Sequence, residues 1–257
     1  MKSKIQKLKN NMNDVVSKTW TLALIISFCV IALASCHKRS IVPVVGRGDT
    51  ASKVYDHSGF DRIDLSIDAD IYYTQDSTYY VEVYAQSNIQ KALRISVDGS
   101  TLRIDAKNPL WKHKTVRINI HSPRIYGLEV SGSGDLSAQT PILTNNLDVN
   151  ISGSGSVSLS SLTTQSLHTE LSGSGKLSVS GGSTIDQSIK ASGSGDINLI
   201  ALSSENSTVY LSGSGSAKLN ATKRLDVRIS GSGSVKYTGT PAVNSEVSGS
   251  GKLSNIN

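Results

Sequence analysis

Cysteine, metal-ligand clusters and catalytic motifs are what this sequence has least of. Only two cysteines, Cys29 and Cys36, occur in 257 residues, which excludes a disulfide-stabilised scaffold. The histidines are too scattered to form a set of metal ligands; they are His37, His57, His113, His121 and His168. Neither a phosphate-binding loop nor a nucleophile elbow is present. The sequence therefore predicts no catalytic residue, no metal site and no cofactor.

An excess of charge is also missing from most of the chain. The formal net charge is +6, but residues 1–35 supply +4 of it through five lysines and one acidic residue, Asp14. Residues 36–257 contain 21 of the 26 basic and 19 of the 20 acidic residues, which leaves +2. Because this balance is nearly even, we expect no nucleic-acid partner.

The apolar run Leu22–Ala34 is too short to cross a membrane as a helix, since it has 13 residues and a transmembrane helix needs about 20. Lysines precede it, so it predicts a signal peptide over residues 1–35. The run ends in Leu33-Ala34-Ser35-Cys36, which resembles the lipobox of bacterial lipoproteins. The resemblance implies removal of the peptide and attachment of lipid to Cys36, through which the chain would bind a membrane. A buried helix ending in a chance cysteine is the alternative.

Residues 36–56 predict a tether, because Pro43, Gly46 and Gly48 interrupt a segment with little periodicity. A short basic cluster follows Cys36, and no acidic surface-export signal is visible there. We therefore expect a cell-envelope protein, an outer-membrane lipoprotein, with the periplasm-facing side favoured over the cell surface.

What the sequence does contain is a repeat. Seven copies of Ser-Gly-Ser-Gly begin at Ser131, Ser152, Ser172, Ser192, Ser212, Ser230 and Ser248. The copies are 18 to 21 residues apart. A period of this length is typical of a solenoid, whose coils bury their apolar faces by stacking. A flexible linker is the other interpretation. It is disfavoured because flanking residues alternate strictly between apolar and polar, as in Leu147–Leu159.

The sequence thus predicts an all-β fold over residues 57–257, a right-handed parallel β-solenoid with coils of roughly 20 residues. Each coil would run as strand, glycine corner, strand and surface turn. The glycines occupy the inward parity, where the wall bends and no side chain fits. The serines point outward in ladders, which we expect to be a solvated face.

The domain divides into two parts by composition. Residues 128–257 contain the regular repeats, whereas residues 57–127 are aromatic-rich and lack the full motif, which predicts degenerate coils. The aromatic end either caps the solenoid or forms a contact patch for a glycan or protein ligand. The residues of that candidate binding face are Tyr72, Tyr73, Tyr79, Tyr80, Tyr84 and Trp111.

The position two residues before each repeat forms a column of mixed charge. Its members are Glu129, Asn150, Glu170, Lys190, Tyr210, Arg228 and Glu246. This mixture indicates charge compensation along an exposed ladder rather than the paired carboxylates of a sugar-cleaving enzyme. Asp135 and Asp196 follow two motifs as in calcium-binding β-rolls, but five of the seven copies lack an Asp there, so no calcium site is predicted.

The run from Phe60 to Ile256 resembles a bacterial family of unknown function, the auto-transporter adhesin head or GIN domain. The matching pieces are Phe60-Asp61-Arg62-Ile63, Val97-Asp98-Gly99-Ser100-Thr101-Leu102, Pro123 and Leu128-Glu129-Val130-Ser131-Gly132-Ser133-Gly134-Asp135-Leu136. The resemblance implies an adhesin-like binding module without catalytic residues. A structural or self-assembling envelope component and a polysaccharide-active enzyme are the alternatives. The sequence leaves the oligomeric state open.

Lipid attachment can be tested in cells. Cys36→Ala should abolish incorporation of labelled palmitate, because the acyl acceptor is lost. Cys29→Ala should leave the labelling unchanged, because Cys29 lies in the peptide that we expect to be removed. Labelling that persists in Cys36→Ala would refute the assignment.

Overall fold

The structure, a computed structural model, describes residues 42–257. The predicted signal peptide and the lipidation site Cys36 lie outside the described residues. Within residues 42–257 there is one short helix, α1 (Ser87–Ala92), and no helix long and apolar enough to span a membrane. All other regular structure is strand.

The strands in chain order are β1 (Val44–Val45), β2 (Thr50–Tyr55), β3 (Arg62–Leu65), β4 (Asp70–Gln75), β5 (Tyr80–Gln86), β6 (Leu93–Asp98), β7 (Thr101–Ala106), β8 (Leu110–Trp111), β9 (Arg117–Ser122), β10 (Gly127–Val130), β11 (Asp135–Ala138), β12 (Ile142–Leu143), β13 (Asn146–Gly153), β14 (Ser156–Leu159), β15 (Leu162–Gly173), β16 (Lys176–Val179), β17 (Gly182–Gly193), β18 (Asp196–Gly213), β19 (Ser216–Gly231), β20 (Ser234–Thr238), β21 (Ala242–Gly249) and β22 (Lys252–Asn255).

The predicted parallel β-solenoid is confirmed, with about six turns. Strands that precede the glycine corner stack into face A, which comprises β3, β10, β13, β15, β17, the later parts of β18 and β19, and β21. Strands that follow the corner stack into face B, which comprises β4, β11, β14, β16, the first parts of β18 and β19, β20 and β22. Equivalent positions of successive repeats are paired in register, as Gly173 and Gly193 are.

A third, shorter face closes the coils where the sequence predicts a surface turn. Here β12 pairs with the start of β15, and β15 pairs in turn with β17. Bends are present at Asn145, Gly181 and Gly239 as predicted, but the turn predicted at residues 203–206 is wrong, because this segment lies within β18. Buried hydroxyls satisfy the backbone at the bend into face A. Thr164 Oγ1 donates to the carbonyl oxygen of Asn145 at 2.9 Å, and Ser204 Oγ donates to that of Asn220 at 2.7 Å.

The alternating apolar residues fill the interior as columns. Ile189 and Val209 are fully buried neighbours in one column, and Ile151 and Leu171 are buried in the next. Burying one such side chain stabilises the fold by about 1.5–3 kcal/mol. Because each coil contributes only one residue to each column, a coil is stabilised only when another coil covers it.

The two glycines of each motif have different roles. In the last five motifs the first glycine adopts a backbone conformation that side chains disfavour: φ is +110° at Gly193, where a Cβ would lie 2.5 Å from the carbonyl oxygen of Gly173. The second points inward, and a Cβ on Gly175 would lie 2.5 Å from Cγ2 of Ile151. The sequence predicts that both glycines point inward. This is confirmed for the second glycine but wrong for the first, which is exposed at Gly173 and Gly193.

Hydrogen bonds between coils continue through these corners. Ser194 N donates to the carbonyl oxygen of Gly173 at 2.9 Å, and Ser214 N donates to that of Gly193 at 2.8 Å. Both interactions need two backbones to approach closely, which the missing Cβ atoms allow. The hydrogen-bond ladder between coils therefore has no gap at the bend.

The N-terminal end is a cap of mixed parallel and antiparallel strands. Strands β3 and β4 continue the coil register by pairing with β10 and β11, and β7 and β9 continue it by parallel pairing with β3 and β4. Strand β5 runs antiparallel to β9, and β6 and β7 form a hairpin that turns at Gly99. The prediction of degenerate coils over residues 57–127 therefore agrees with the parallel stacking of β3, β4, β7 and β9, but it is wrong for β5, α1 and β6. Apolar alternation could not reveal this, because it is the same in parallel and antiparallel strands.

The predicted tether also ends earlier than residue 56. Strand β1 pairs with β8, and β2 pairs antiparallel with β5 along its whole length. Residues 44–55 therefore belong to the cap. Five of the six residues of β2 are exposed, which explains why this segment lacks the apolar alternation of a half-buried strand.

Replacing Gly193 by alanine should destabilise the domain by about 2 kcal/mol or more, because the positive φ and the Gly173 carbonyl both oppose a Cβ. Gly181→Ala is the matched control. Its Cβ would meet nothing closer than 3.9 Å and its φ is not positive, so the urea midpoint should hardly change. Equal midpoints for the two variants would contradict the proposed role of the corner.

Candidate functional site

A cluster of tyrosines lies on the outer surface of face B, next to the cap. Face B continues beyond β4 through β9 and β5, so these three strands present their outward side chains side by side. Tyr72 is paired with Asn119, and Asn119 is paired with Glu82. Tyr80 and Tyr84 flank Glu82 on the same strand face. We call these five residues the tyrosine patch.

Charged neighbours pack against the rings of the patch. The Arg117 guanidinium lies 5.7 Å from the centroid of Tyr72, which is cation–π geometry. The His121 ring meets Tyr80 edge-on at 5.4 Å, and its Nδ1 lies 2.6 Å from a carboxylate oxygen of Asp76. These contacts restrict the side chains before any ligand binds, which reduces the entropy lost on binding.

Hydrogen bonding keeps the central carboxylate of the patch ionised. Ser52 Oγ donates to Glu82 Oε1 at 2.5 Å, and this bond is the main reason why the pKa of Glu82 is lowered. The same carboxylate is the main cause of the raised pKa of Tyr84, whereas burial is the main cause for Tyr80. At neutral pH the patch therefore presents one carboxylate acceptor among neutral phenol hydroxyls.

The structure brings Tyr72, Tyr80 and Tyr84 together and separates the other predicted residues. Tyr73 is fully buried, and its hydroxyl lies 3.0 Å from Ser122 Oγ. Burial is the main cause that raises the pKa of Tyr73 to about 12. The prediction that Tyr73 belongs to a binding face is therefore wrong. It occupies the inward parity of β4, next to the outward Tyr72.

Tyr79 and Trp111 also lie outside the patch. The Tyr79 ring packs edge-on against Phe60 at 5.2 Å, so it serves the core of the cap. Trp111 lies on β8, which pairs only with β1 among the described strands. Its side chain is 57 % exposed, and Lys112 Nζ lies 4.9 Å from its ring. It is a separate exposed aromatic.

A second candidate surface is the charged column on face A. The strand register aligns its seven members from Glu129 to Glu246, as the sequence predicts. A shallow groove of about 540 Å³ runs along most of it. Lys190 Nζ lies 3.1 Å from Glu170 Oε1, so opposite charges on neighbouring coils pair.

The central carboxylate of the groove, Glu170, does not suit a general acid for cleavage of a sugar. The hydrogen bond from Lys190 is the main cause of the lowered pKa of Glu170, whereas a general acid needs a raised pKa. Within residues 42–257, no three His, Cys, Asp or Glu side chains are placed to hold a metal ion.

Comparisons with known proteins agree with this architecture. A family profile described as "Putative auto-transporter adhesin, head GIN domain" matches residues 59–241. No curated protein sequence matches the chain. A solved "putative adhesin" from Bacteroides fragilis is 27% identical with a TM-score of 0.78, over 83% of this chain and 100% of that one.

Two further solved structures share the fold at lower identity. A "putative lipid binding protein" from Parabacteroides distasonis is 24% identical with a TM-score of 0.72, over 84% of this chain and 100% of that one. A "putative adhesin" from Parabacteroides merdae is 20% identical with a TM-score of 0.67, over 83% and 99% of the two chains.

The matched segment includes six of the seven repeats in full and the strands that present the tyrosine patch. It covers well over half of the chain, and the family resemblance seen in the sequence is thereby confirmed. The chain belongs to the family of auto-transporter adhesin head GIN domains.

Proposed function

We propose that this protein is a lipid-anchored, non-enzymatic binding module of the cell envelope, and that it contacts its ligand through the tyrosine patch. The observation that supports this best is the clustering of three tyrosine rings around the ionised Glu82 on an open sheet surface. Tyrosine combines a large apolar ring with a polar hydroxyl, and it is enriched at binding surfaces for that reason.

The chemistry of the patch favours a glycan as the ligand. Sugar rings carry apolar C–H faces, which can lie against tyrosine rings, and hydroxyl groups at their edges. The Glu82 carboxylate can accept hydrogen bonds from such hydroxyls, and the Asn119 amide can both donate and accept. The patch lies on an open sheet face, so it suits an extended polymer better than a small molecule.

The predicted lipid on Cys36 would attach the domain to a membrane through its N-terminal side. The first described strand, β1, lies in the cap, and so do the strands of the patch. We propose the periplasmic side of the outer membrane, because no acidic export signal follows Cys36. An envelope glycan is then the ligand within reach. The adhesin description of the family supports a binding role in general terms.

Tyr80→Ala and Tyr84→Ala should each weaken binding to a glycan on an array of envelope polysaccharides about tenfold or more, because each change removes a ring from the contact. Trp111→Ala is the control and should bind like the unaltered protein, since Trp111 is exposed but lies outside the patch.

Two outcomes would contradict the proposal. The first is the absence of saturable glycan binding, which would favour a structural role in the envelope or a protein ligand. The second is binding that Trp111→Ala abolishes and the tyrosine variants retain. Release of cleavage products from the polysaccharides would instead support the enzymatic alternative.

A further inference from the structure

The two ends of the solenoid differ in how they are covered. The cap closes the N-terminal end, whereas no described strand stacks on the last coil, formed by β21 and β22. All eight residues of β21 are exposed, although the residues directly below them, such as Leu225 and Ile229, are buried. Val243 and Val247 on β21 are therefore 42 % and 44 % exposed.

Strand β21 also has an unpaired edge. It pairs with β19 on one side and with no described strand on the other. Natural proteins usually protect such an edge with charged side chains, an inward-pointing charge, a proline within the strand or a covering segment. The one charged residue of β21, Glu246, points outward, and its carboxylate lies 3.4 Å from Arg228 Nε of β19. Here the inward positions are Val243, Ser245 and Val247, and the nearest proline, Pro241, precedes the strand. The edge can therefore accept another strand.

The sequence of β21 is complementary to itself in antiparallel orientation. With a twofold axis at Ser245, Val243 lies opposite Val247 of a second copy, and Val247 lies opposite the second copy's Val243. On the outer surface Asn244 lies opposite Glu246. The Asn244 amide donates one hydrogen to Asp226 at 3.2 Å, and its second amide hydrogen is available to the Glu246 carboxylate of the second copy. Apolar and polar residues thus match on both surfaces of the sheet.

Neighbouring registers lack this match. A shift of two residues in one direction places Glu246 opposite its own copy, where two carboxylates repel each other. A shift in the other direction places Val247 opposite Pro241, which has no N–H to donate. A shift of one residue would turn the valines to the outer surface. The complementary register is therefore well specified.

We propose that two copies of this protein associate through their C-terminal ends by antiparallel pairing of β21 about Ser245. The pairing covers the exposed valines and continues face A across the twofold axis. It leaves the two caps, and with them the two tyrosine patches, at opposite ends of the dimer. If the patch binds a glycan as proposed above, the dimer holds two ligand sites facing away from each other.

A cysteine at the twofold axis tests this arrangement in cells that express the full chain. In the proposed dimer the two Cα atoms of residue 245 are about 4.5–5.5 Å apart, which a disulfide can bridge. Under mild oxidation Ser245→Cys should give a cross-linked dimer that a reducing agent dissolves. Ser183→Cys is the control, since it is exposed in the middle of the solenoid and should give no dimer.

A second substitution shows whether β21 itself makes the contact. Val247→Lys, added to Ser245→Cys, should abolish the cross-link, because it places a charge in the apolar contact. Ile185→Lys is its control, since Ile185 is 45 % exposed but lies on the side of the solenoid, and the cross-link should persist.

Three results would overturn the proposal: no dimer above the level of Ser183→Cys, a dimer that survives Val247→Lys, or a cross-linked product whose mass shows a different protein. The last result would assign the edge to another partner. None of these measurements depends on glycan binding, so the dimer can fail while the proposed function stands, and the reverse also holds.

Discussion

Each glycine corner joins its coil to the one before through main-chain hydrogen bonds, such as the one from Ser194 N to the carbonyl oxygen of Gly173. This contact requires the two backbones to lie closer than a Cβ would allow. It also requires each corner to lie directly on the previous one, because the bond runs along the solenoid axis. The stacking of every other residue follows from this alignment.

Strict stacking explains the exterior as well as the core. Once the corners are aligned, residues two positions before each motif must form one column, and opposite charges on neighbouring coils, such as Glu170 and Lys190, come within 3.1 Å. A regular stack also has two ends, and each end exposes the inner surface of a coil. The cap covers one end, and the exposed valines of β21 mark the other.

The regular half of this fold could be predicted from sequence because one local pattern determines it. Alternation fixes which side chains face inward, and the repeat fixes which coils stack, so the charged column was predicted residue by residue. The cap could not be predicted in this way. Its strands alternate like the others, and whether β5 meets β9 in parallel or antiparallel orientation depends on chain connections that alternation does not encode.

The tyrosine patch shows the same limit at a single site. Alternation tells that Tyr72 and Tyr73 lie on opposite surfaces, and the parity of Ile71 assigns Tyr73 to the inner one, so Tyr73 could have been left out of the binding face from the sequence. Alternation gave no reason, however, to include Glu82 or Asn119, because they join the tyrosines only through the antiparallel pairing of β5 and β9. A site formed by neighbouring strands becomes visible only when the pairing is known.

The most direct test of the account is amide hydrogen exchange at the corners. Hydrogen-bonded amides in a stacked ladder exchange slowly, whereas those of a flexible Gly-Ser segment exchange at the rate of an unfolded chain. The amides of Ser174, Ser194 and Ser214, each bonded to a glycine carbonyl of the preceding coil, should be protected as strongly as those of the flanking strands. Exchange at the unfolded rate at these serines, with protection confined to the strands, would contradict the central role of the corner.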